Sequence, residues 1–194
     1  MKLLIATFNK GKIGDYKQFF KDLAVEVVGL GDVGIEEEFD EIYSTFEENS
    51  RGKAEFYAKL SGLPTLADDS GIEIPFYNMQ PGVKTKRWGG DLSDEEYSNF
   101  ILDKIRHIPE NLRQAQLRAV LTLCINGTCY QSEGKTLGII TDKIYADSTT
   151  HGYPWDKLFI LDANGKYYEA LTEEENLQLN HRSTALDKLK KYLS

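Results

Sequence analysis

An apolar run, Leu3-Leu4-Ile5-Ala6, leads into a polar turn, Thr7-Phe8-Asn9-Lys10-Gly11-Lys12. Ile13, Tyr16, Phe19, Phe20 and Leu23 then recur at helical spacing, and Val25 to Leu30 reads as a second strand. Two strands joined by a helix read as a βαβ unit with parallel strands. That opening predicts the α/β class.

The rest of the chain extends this pattern. Glu36 to Glu41 is acidic without apolar period and reads as a loop. Thr45-Phe46-Glu47-Glu48 fits a capping box ahead of Ala54, Phe56, Tyr57 and Leu60, a helix that Leu63-Pro64 stops. Thr65-Leu66-Ala67 predicts a short strand running into Asp68-Asp69-Ser70-Gly71. Ser93-Asp94-Glu95-Glu96 is a second capping box, starting a helix with Tyr97, Phe100, Ile101 and Ile105. From Gln116 the period becomes two, and Asn126-Gly127 marks a hairpin. More strand is expected at 137–144 and 157–161, with a second hairpin at Asn164-Gly165. Thr172-Glu173-Glu174-Glu175 caps a final helical region carrying Leu177, Leu179, Leu186, Leu189 and Leu193. Strands and helices intermingle without repeat or linker, which predicts one bilobed α/β domain over residues 1–194.

Charge and cysteine usage narrow the function. The net charge is −8, from 31 acidic and 23 basic residues, which excludes a nucleic-acid polymer as a nonspecific partner. A small polyphosphate is compatible, because a local Lys/Arg cluster or a metal can hold it. Asn9, Lys10 and Lys12 interrupt the first apolar run before a signal core forms, and no run reaches the roughly 18 residues of a membrane span. The cytoplasm is the expected compartment. None of His107, His151 or His181 lies near a Gly-x-Ser-x-Gly elbow, which leaves a hydrolase triad without support. Two cysteines are too few for a disulfide framework or a four-cysteine zinc site. With Asn126-Gly127 as a two-residue loop, Cys124 faces Cys129 in a narrow pair whose Cα atoms lie about 4.5 Å apart. A bridge fits that distance. A reducing cytosol predicts two free thiols on one sheet face instead.

Four segments carry candidate chemistry, each with a plainer alternative. Thr7-x-Asn9-x-x-Lys12 stands where strand turns to helix, as an anion site or as an N-capped turn with solvated lysines. Ala67-Asp68-Asp69-Ser70-Gly71 places adjacent carboxylates at a strand end, suited to magnesium or water activation and equally to a turn. His181-Arg182 offers a fork for phosphate or is an uninformative pair, and Gly152-Tyr153-Pro154-Trp155-Asp156 offers rings and a carboxylate for a purine, or core packing. Glu41, in the acidic stretch, is a further candidate ligand or part of a solvated face.

Taken in order, these segments resemble the inosine triphosphate pyrophosphatase family. The series is Thr7-x-Asn9-x-x-Lys12, Thr45-Phe46-x-Glu48-Asn49 with Lys53-Ala54, Ala67-Asp68-Asp69-Ser70-Gly71, Pro81-Gly82-Val83 with Arg87, Trp155-Asp156 before Phe159, and His181-Arg182. It runs from residue 3 to about 190. The resemblance implies an elongated mixed central sheet flanked by helices, in two lobes with the active-site cleft between them. It implies a homodimer that uses Mg2+ to split non-canonical purine nucleoside triphosphates (ITP, dITP, XTP) into monophosphate and pyrophosphate. By position, Thr7, Asn9 and Lys12 hold the triphosphate. Asp69 is the catalytic acid/base residue and a metal ligand, Glu41 the second ligand, and Asp68 supports them. Ser70 contacts substrate, while Tyr153, Trp155, Asp156, His181 and Arg182 form the base pocket. A cation or N–H donor from His181 or Arg182 favours a 6-oxo purine over adenine, whose amino group is itself a donor.

The departures from the family cluster where the nucleotide is expected. Lys84, Thr85 and Lys86 replace an aromatic, a serine and an alanine; Asp147 to His151 replaces a glycine-rich run. The base loop reads Tyr153-Pro154-Trp155-Asp156-Lys157, a usual lysine is Asn176 and a usual serine is Asn180. These changes leave open the same chemistry on another modified or canonical nucleoside triphosphate. A nucleotide-binding protein without turnover is the alternative outside enzymes, against which Lys12, Glu41, Asp68 and Asp69 argue as a set.

Overall fold

Strands β1 (Lys2–Ile5) and β2 (Glu26–Gly29) pair in parallel, with helix α1 (Lys10–Phe19) between them in the chain. The βαβ reading therefore holds. This is a computed structural model, and it describes residues 1–148 and 154–193. Strand β1 pairs in parallel on its other side with β3 (Thr65–Ile74), through Leu4–Thr65 and Ile5–Leu66. Antiparallel pairs join β3 to β4 (Gln80–Pro81) and β6 (Thr128–Ile140) to β7 (Phe159–Leu161), so the sheet is mixed. With β5 (Gln114–Ile125) the strand order is β2-β1-β3-β5-β6-β7.

The helices follow their caps. Thr45 accepts from the Glu48 amide at the start of α2 (Phe46–Ser61), and Gly62 closes it at φ 69°, a backbone setting that suits glycine. Ser93 and Thr172 each form a complete capping box, starting α3 (Asp94–Arg106) and α4 (Glu173–Leu179). The final helical region is two helices rather than one. Asn180 takes an extended backbone (φ −70°, ψ 129°) between α4 and α5 (His181–Asp187).

One expectation changes in a way that matters for the site. Asp68-Asp69-Ser70-Gly71 does not turn after a three-residue strand but lies in the middle of ten-residue β3. Gly71 is there because the backbone ahead of it packs too closely for a side chain. A Cβ at this position would lie 2.4 Å from the Gly82 carbonyl oxygen and 2.3 Å from Thr85 Oγ1. Thr85 donates to that same carbonyl and accepts from the Ile72 amide at 3.0 Å. The Thr85 hydroxyl thus ties the 82–85 segment to β3.

The chain divides into two compact units, and the division falls inside β3. The first comprises residues 1–69, 119–134 and 182–194; the second comprises 70–118 and 135–181. The first packs Leu4, Val28, Leu30, Ala54, Tyr57 and Ala67 together. The second is built on Ile72, Ile101, Ile105, Leu117, Trp155 and Phe159. Asn176 and Asn180, the two departures at the end of α4, form one hydrogen-bonded pair at 2.8 Å within the second unit.

The hairpin register is as expected, while the redox state is a correction. Asn126 (φ 51°) and Gly127 (φ 76°) both adopt the left-handed setting of a tight two-residue turn. Cys124 and Cys129 then face each other with Cα atoms 4.0 Å apart, and they are joined as a disulfide rather than left as two thiols. The narrow cross-strand pair brings the two sulfurs within bonding reach, which the compartment argument had set aside.

Candidate functional site

Helix α2 buries a stripe at positions 46, 49, 50, 53, 54 and 57, the spacing of a core-facing helix. Three residues of that stripe, Asn49, Ser50 and Lys53, are polar. Each is matched by a partner, chiefly on β3. Asn49 Nδ2 donates to Asp69 Oδ2 at 3.0 Å, Ser50 Oγ to the Ala67 carbonyl at 3.3 Å, and Lys53 Nζ to the Asp68 carbonyl at 3.1 Å. Buried polar groups are tolerated only when matched in this way. Asn49 also bonds both backbone groups of Tyr43, which anchors the loop carrying Glu41, and Lys53 pairs with the Glu41 carboxylate.

Asp68 gathers the remaining charges. Lys12 Nζ lies 2.9 Å from its Oδ2, and Arg182 Nε lies 3.2 Å from the same oxygen. Arg182 NH1 also approaches Asp15 on α1 at 3.7 Å. Burial alone would raise the Asp68 carboxyl, but Lys12, Arg182 and Lys53 hold it well below the ordinary carboxylate range. Asp68 therefore stays ionised as the anchor of the cluster. Lys12 is lowered by its burial, with Arg182 and Lys53 adding repulsion against the pull of Asp68.

Asp69, its neighbour in β3, is tuned the other way. Only 6% of Asp69 is exposed. Burial and the nearby Glu41 carboxylate push its carboxyl up to about 6, against Lys53, Lys12 and the Asn49 amide. Two adjacent carboxylates in one strand point to opposite sides of the sheet, so each meets a different environment. Divergent affinities of this kind separate an acid/base group from a permanent anion. Lys53 keeps its proton more firmly than usual: burial disfavours the charge, but Glu41, Asp68 and Asp69 outweigh it.

The first unit thus brings Lys12, Glu41, Asp69 and Arg182 into one charged cluster with Asp68. Thr7 and Asn9 stand at its α1 end. Thr7 Oγ1 accepts from the Asn9 amide at 3.1 Å, and Asn9 Oδ1 caps α1 by accepting from the Gly11 and Lys12 amides. The N-cap of the plainer reading is therefore present, while Lys12 is drawn inward to Asp68 rather than solvated. Ser70, Trp155, Asp156 and His181 belong to the second unit. Ser70 is half-buried in β3 and Asp156 begins a short helical turn. Trp155 is 5% exposed and stacks on Trp88, with ring centres 6.1 Å apart. His181 Nδ1 and the Tyr168 hydroxyl share a hydrogen bond of 3.0 Å. Tyr153 lies outside the described residues. Asn49, Lys53 and Asp15 were not singled out as site residues from sequence. The signal for the first two was available, as polar side chains at helical spacing on an otherwise apolar face.

A divalent cation can be tested against this donor set. Among the described residues no three His, Cys, Asp or Glu side chains form a metal-binding group. The cluster holds three cations (Lys12, Lys53, Arg182) and four carboxylates (Asp15, Glu41, Asp68, Asp69), leaving one net negative charge. Burial and Glu41 raise the cost of ionising Asp69, which a hard divalent cation would relieve. Two carboxylate donors with the rest supplied by water and phosphate oxygens is a set that suits Mg2+. The residues present fit the ion.

The sequence pattern of the Ham1 family matches residues 3–192. The dITP/XTP pyrophosphatase of Thermoanaerobacter sp. (strain X514) is 35% identical over 195 aligned residues, covering 100% of this chain and 96% of its own. The dITP/XTP pyrophosphatase of Bacillus subtilis (strain 168) is 33% identical, covering 98% of this chain and 96% of its own. The structure of the Staphylococcus aureus Ham1 protein aligns with a TM-score of 0.81 at 31% identity, covering 100% of this chain and 98% of that one.

Proposed function

The chain belongs to the Ham1 family, and from that premise we propose that it is a magnesium-dependent pyrophosphatase of non-canonical purine nucleoside triphosphates. Its substrates are dITP, ITP and XTP, and its products are the monophosphate and pyrophosphate. The observation that carries this reading is the contrast between neighbours in β3: Asp68 held ionised by Lys12 and Arg182, and Asp69 pushed up to about 6.

In this reading Asp69 is the proton acceptor. A carboxylate raised towards neutrality takes a proton from the attacking water more readily than an ordinary one. Asn49 fixes the orientation of that carboxylate by donating to Oδ2. Lys12 and Lys53, aimed by Asp68 and Glu41, hold phosphate oxygens, and Thr7 and Asn9 line the same turn. Glu41 and Asp69 would hold the magnesium ion, which supplies charge neutralisation on the phosphates. Arg182 presents N–H donors only, and these match the 6-oxo acceptor of hypoxanthine or xanthine. The proposal also takes the protein to act in the cytoplasm as a homodimer; among the described residues no helix is long and apolar enough to cross a membrane.

A panel of nucleoside triphosphates with magnesium, read by phosphorus NMR, tests the reading. The expected outcome is monophosphate and pyrophosphate in equal amounts, fastest with dITP or XTP and absent in excess chelator. Diphosphate with orthophosphate would assign attack to the γ-phosphorus and overturn it.

A further inference from the structure

The Cys124–Cys129 bond stands in the wall of a cavity of about 430 Å3 that none of the proposed catalytic residues lines. Glu55 and Lys59 of α2, the Leu63-Pro64 helix stop and the Asn126-Gly127 turn form much of that wall. Cys124 is packed in the core of the first unit, whereas Cys129 is only half-buried. A thiolate entering the cavity therefore reaches the Cys129 sulfur more readily.

A second observation concerns the next position down the hairpin. Thr122 and Gln131 lie two residues from the cysteines, so they form the adjacent rung on the same face. Gln131 Nε2 donates to Thr122 Oγ1 and to the Glu47 carbonyl of α2, both at 2.9 Å. Thr122 and Ser50 share a hydrogen bond of 2.8 Å. Ser50 is the neighbour in α2 of Asn49, which holds Asp69. The disulfide thus fixes the strand spacing next to a rung to which the polar start of α2 is fastened.

We propose that Cys124–Cys129 is a reducible brace, opened by a dithiol through this cavity, and that opening it loosens the hold of α2 on the Asp69 carboxylate. A thiolate of the dithiol attacks the Cys129 sulfur, forming a mixed disulfide and expelling Cys124 as a thiolate that takes up a proton. The second thiolate of the dithiol then attacks its partner sulfur in the mixed disulfide. Cys129 leaves as a thiolate, gains a proton, and the reductant departs as a cyclic disulfide. Two electrons and two protons pass from dithiol to protein. The effect on turnover rests on the pyrophosphatase reading above; the chemistry at the cysteines does not.

The native protein, before and after dithiothreitol, is alkylated and weighed by mass spectrometry, and amide exchange is followed in α2. No alkylation before and two alkylations after treatment of the folded protein is the expected result. Two free thiols before treatment, or a bond that opens only in denaturant, overturns the proposal. On reduction the amides of residues 46–53 should exchange faster by about fivefold, the ratio that corresponds to roughly 1 kcal/mol of local stability. Unchanged exchange overturns the brace. Pyrophosphate release should fall by a similar factor in the wild type, while Cys124→Ser/Cys129→Ser should match the reduced protein and ignore the reductant. Equal rates in both redox states overturn the link to the site. Absence of turnover in either state would count against the pyrophosphatase reading alone, with alkylation and exchange still deciding the brace. Should the double serine variant fail to fold, the comparison of the two wild-type states is complete without it.

Discussion

Asp69 combines two opposed properties in one side chain. Its charge is costly in the metal-free protein, since burial and Glu41 push its carboxyl up to about 6. Removing the charge should therefore stabilise the fold at neutral pH while removing the proposed proton acceptor. We expect Asp69→Asn to lose turnover on the order of 10³-fold and, without divalent cation, to melt a few degrees higher. Steady-state assays and calorimetry check the pair of effects, and a lower melting point would contradict the electrostatic account. Part of this site was legible in sequence: Lys12, Glu41, Asp69 and Arg182 were named, and they meet around Asp68. Its setting was not. Asp-Asp-Ser-Gly carries strong turn chemistry, and only tertiary partners keep it extended: Lys12 and Arg182 on Asp68, Asn49 on Asp69, and the Gly82–Thr85 backbone against Gly71. None of these partners is local, so no local pattern reveals them. The cysteines divide similarly: Asn126-Gly127 dictated their pairing, while their oxidation was beyond what spacing can show.

Whole elements respond at a coarser level. Gly71→Ala would force β3 and the 82–85 segment apart, because the obstructing atoms include a backbone carbonyl that cannot rotate away. A loss of about 3 kcal/mol is expected, read from denaturant unfolding, and a neutral substitution would refute the close packing. Helix α4 offers a pH test. Glu175 accepts from Thr172 at the cap and pairs with Lys166 at 2.6 Å, and these contacts pull its carboxyl down to about 2. Its unfolded value is near 4.3. A depressed folded value means that the contribution is complete above about pH 4.3 and disappears as the pH falls towards 2. Glu175→Gln should accordingly be less stable than wild type at pH 6, with the gap closing as acid is added. A gap that persists at the acid end would show that packing, not ionisation, supports this cap. The capping boxes of α3 and α4 could be read from four residues each, because their physics is local. The break between α4 and α5 could not, since the leucine spacing continues across Asn180 without interruption.

At the scale of the molecule, the first unit is assembled from three segments distant in sequence. Its last segment is fastened to the hairpin: Ser132 donates to the Ala185 carbonyl at 2.8 Å, and Tyr130 stacks on Tyr192 at 3.7 Å. Leu186 and Leu189 of the same segment are buried. A chain stopped after His181 should therefore lose the cooperative melting of the first unit, seen as increased amide exchange in α1 and β1 relative to the full chain. Protection equal to that of the full chain would mean that the segment is an accessory. The same arrangement has a consequence for synthesis. Asp68 and Arg182 are 114 residues apart in the chain. At about 5–20 residues per second, a ribosome delivers that arginine on the order of ten seconds after the aspartate. Throughout that interval the nascent chain can bring Lys12 to Asp68 but cannot complete the cluster. Until that arginine is made, Asp68 lacks one of the cations that hold it ionised, so the charge state of β3 is settled long after β3 itself has been synthesised.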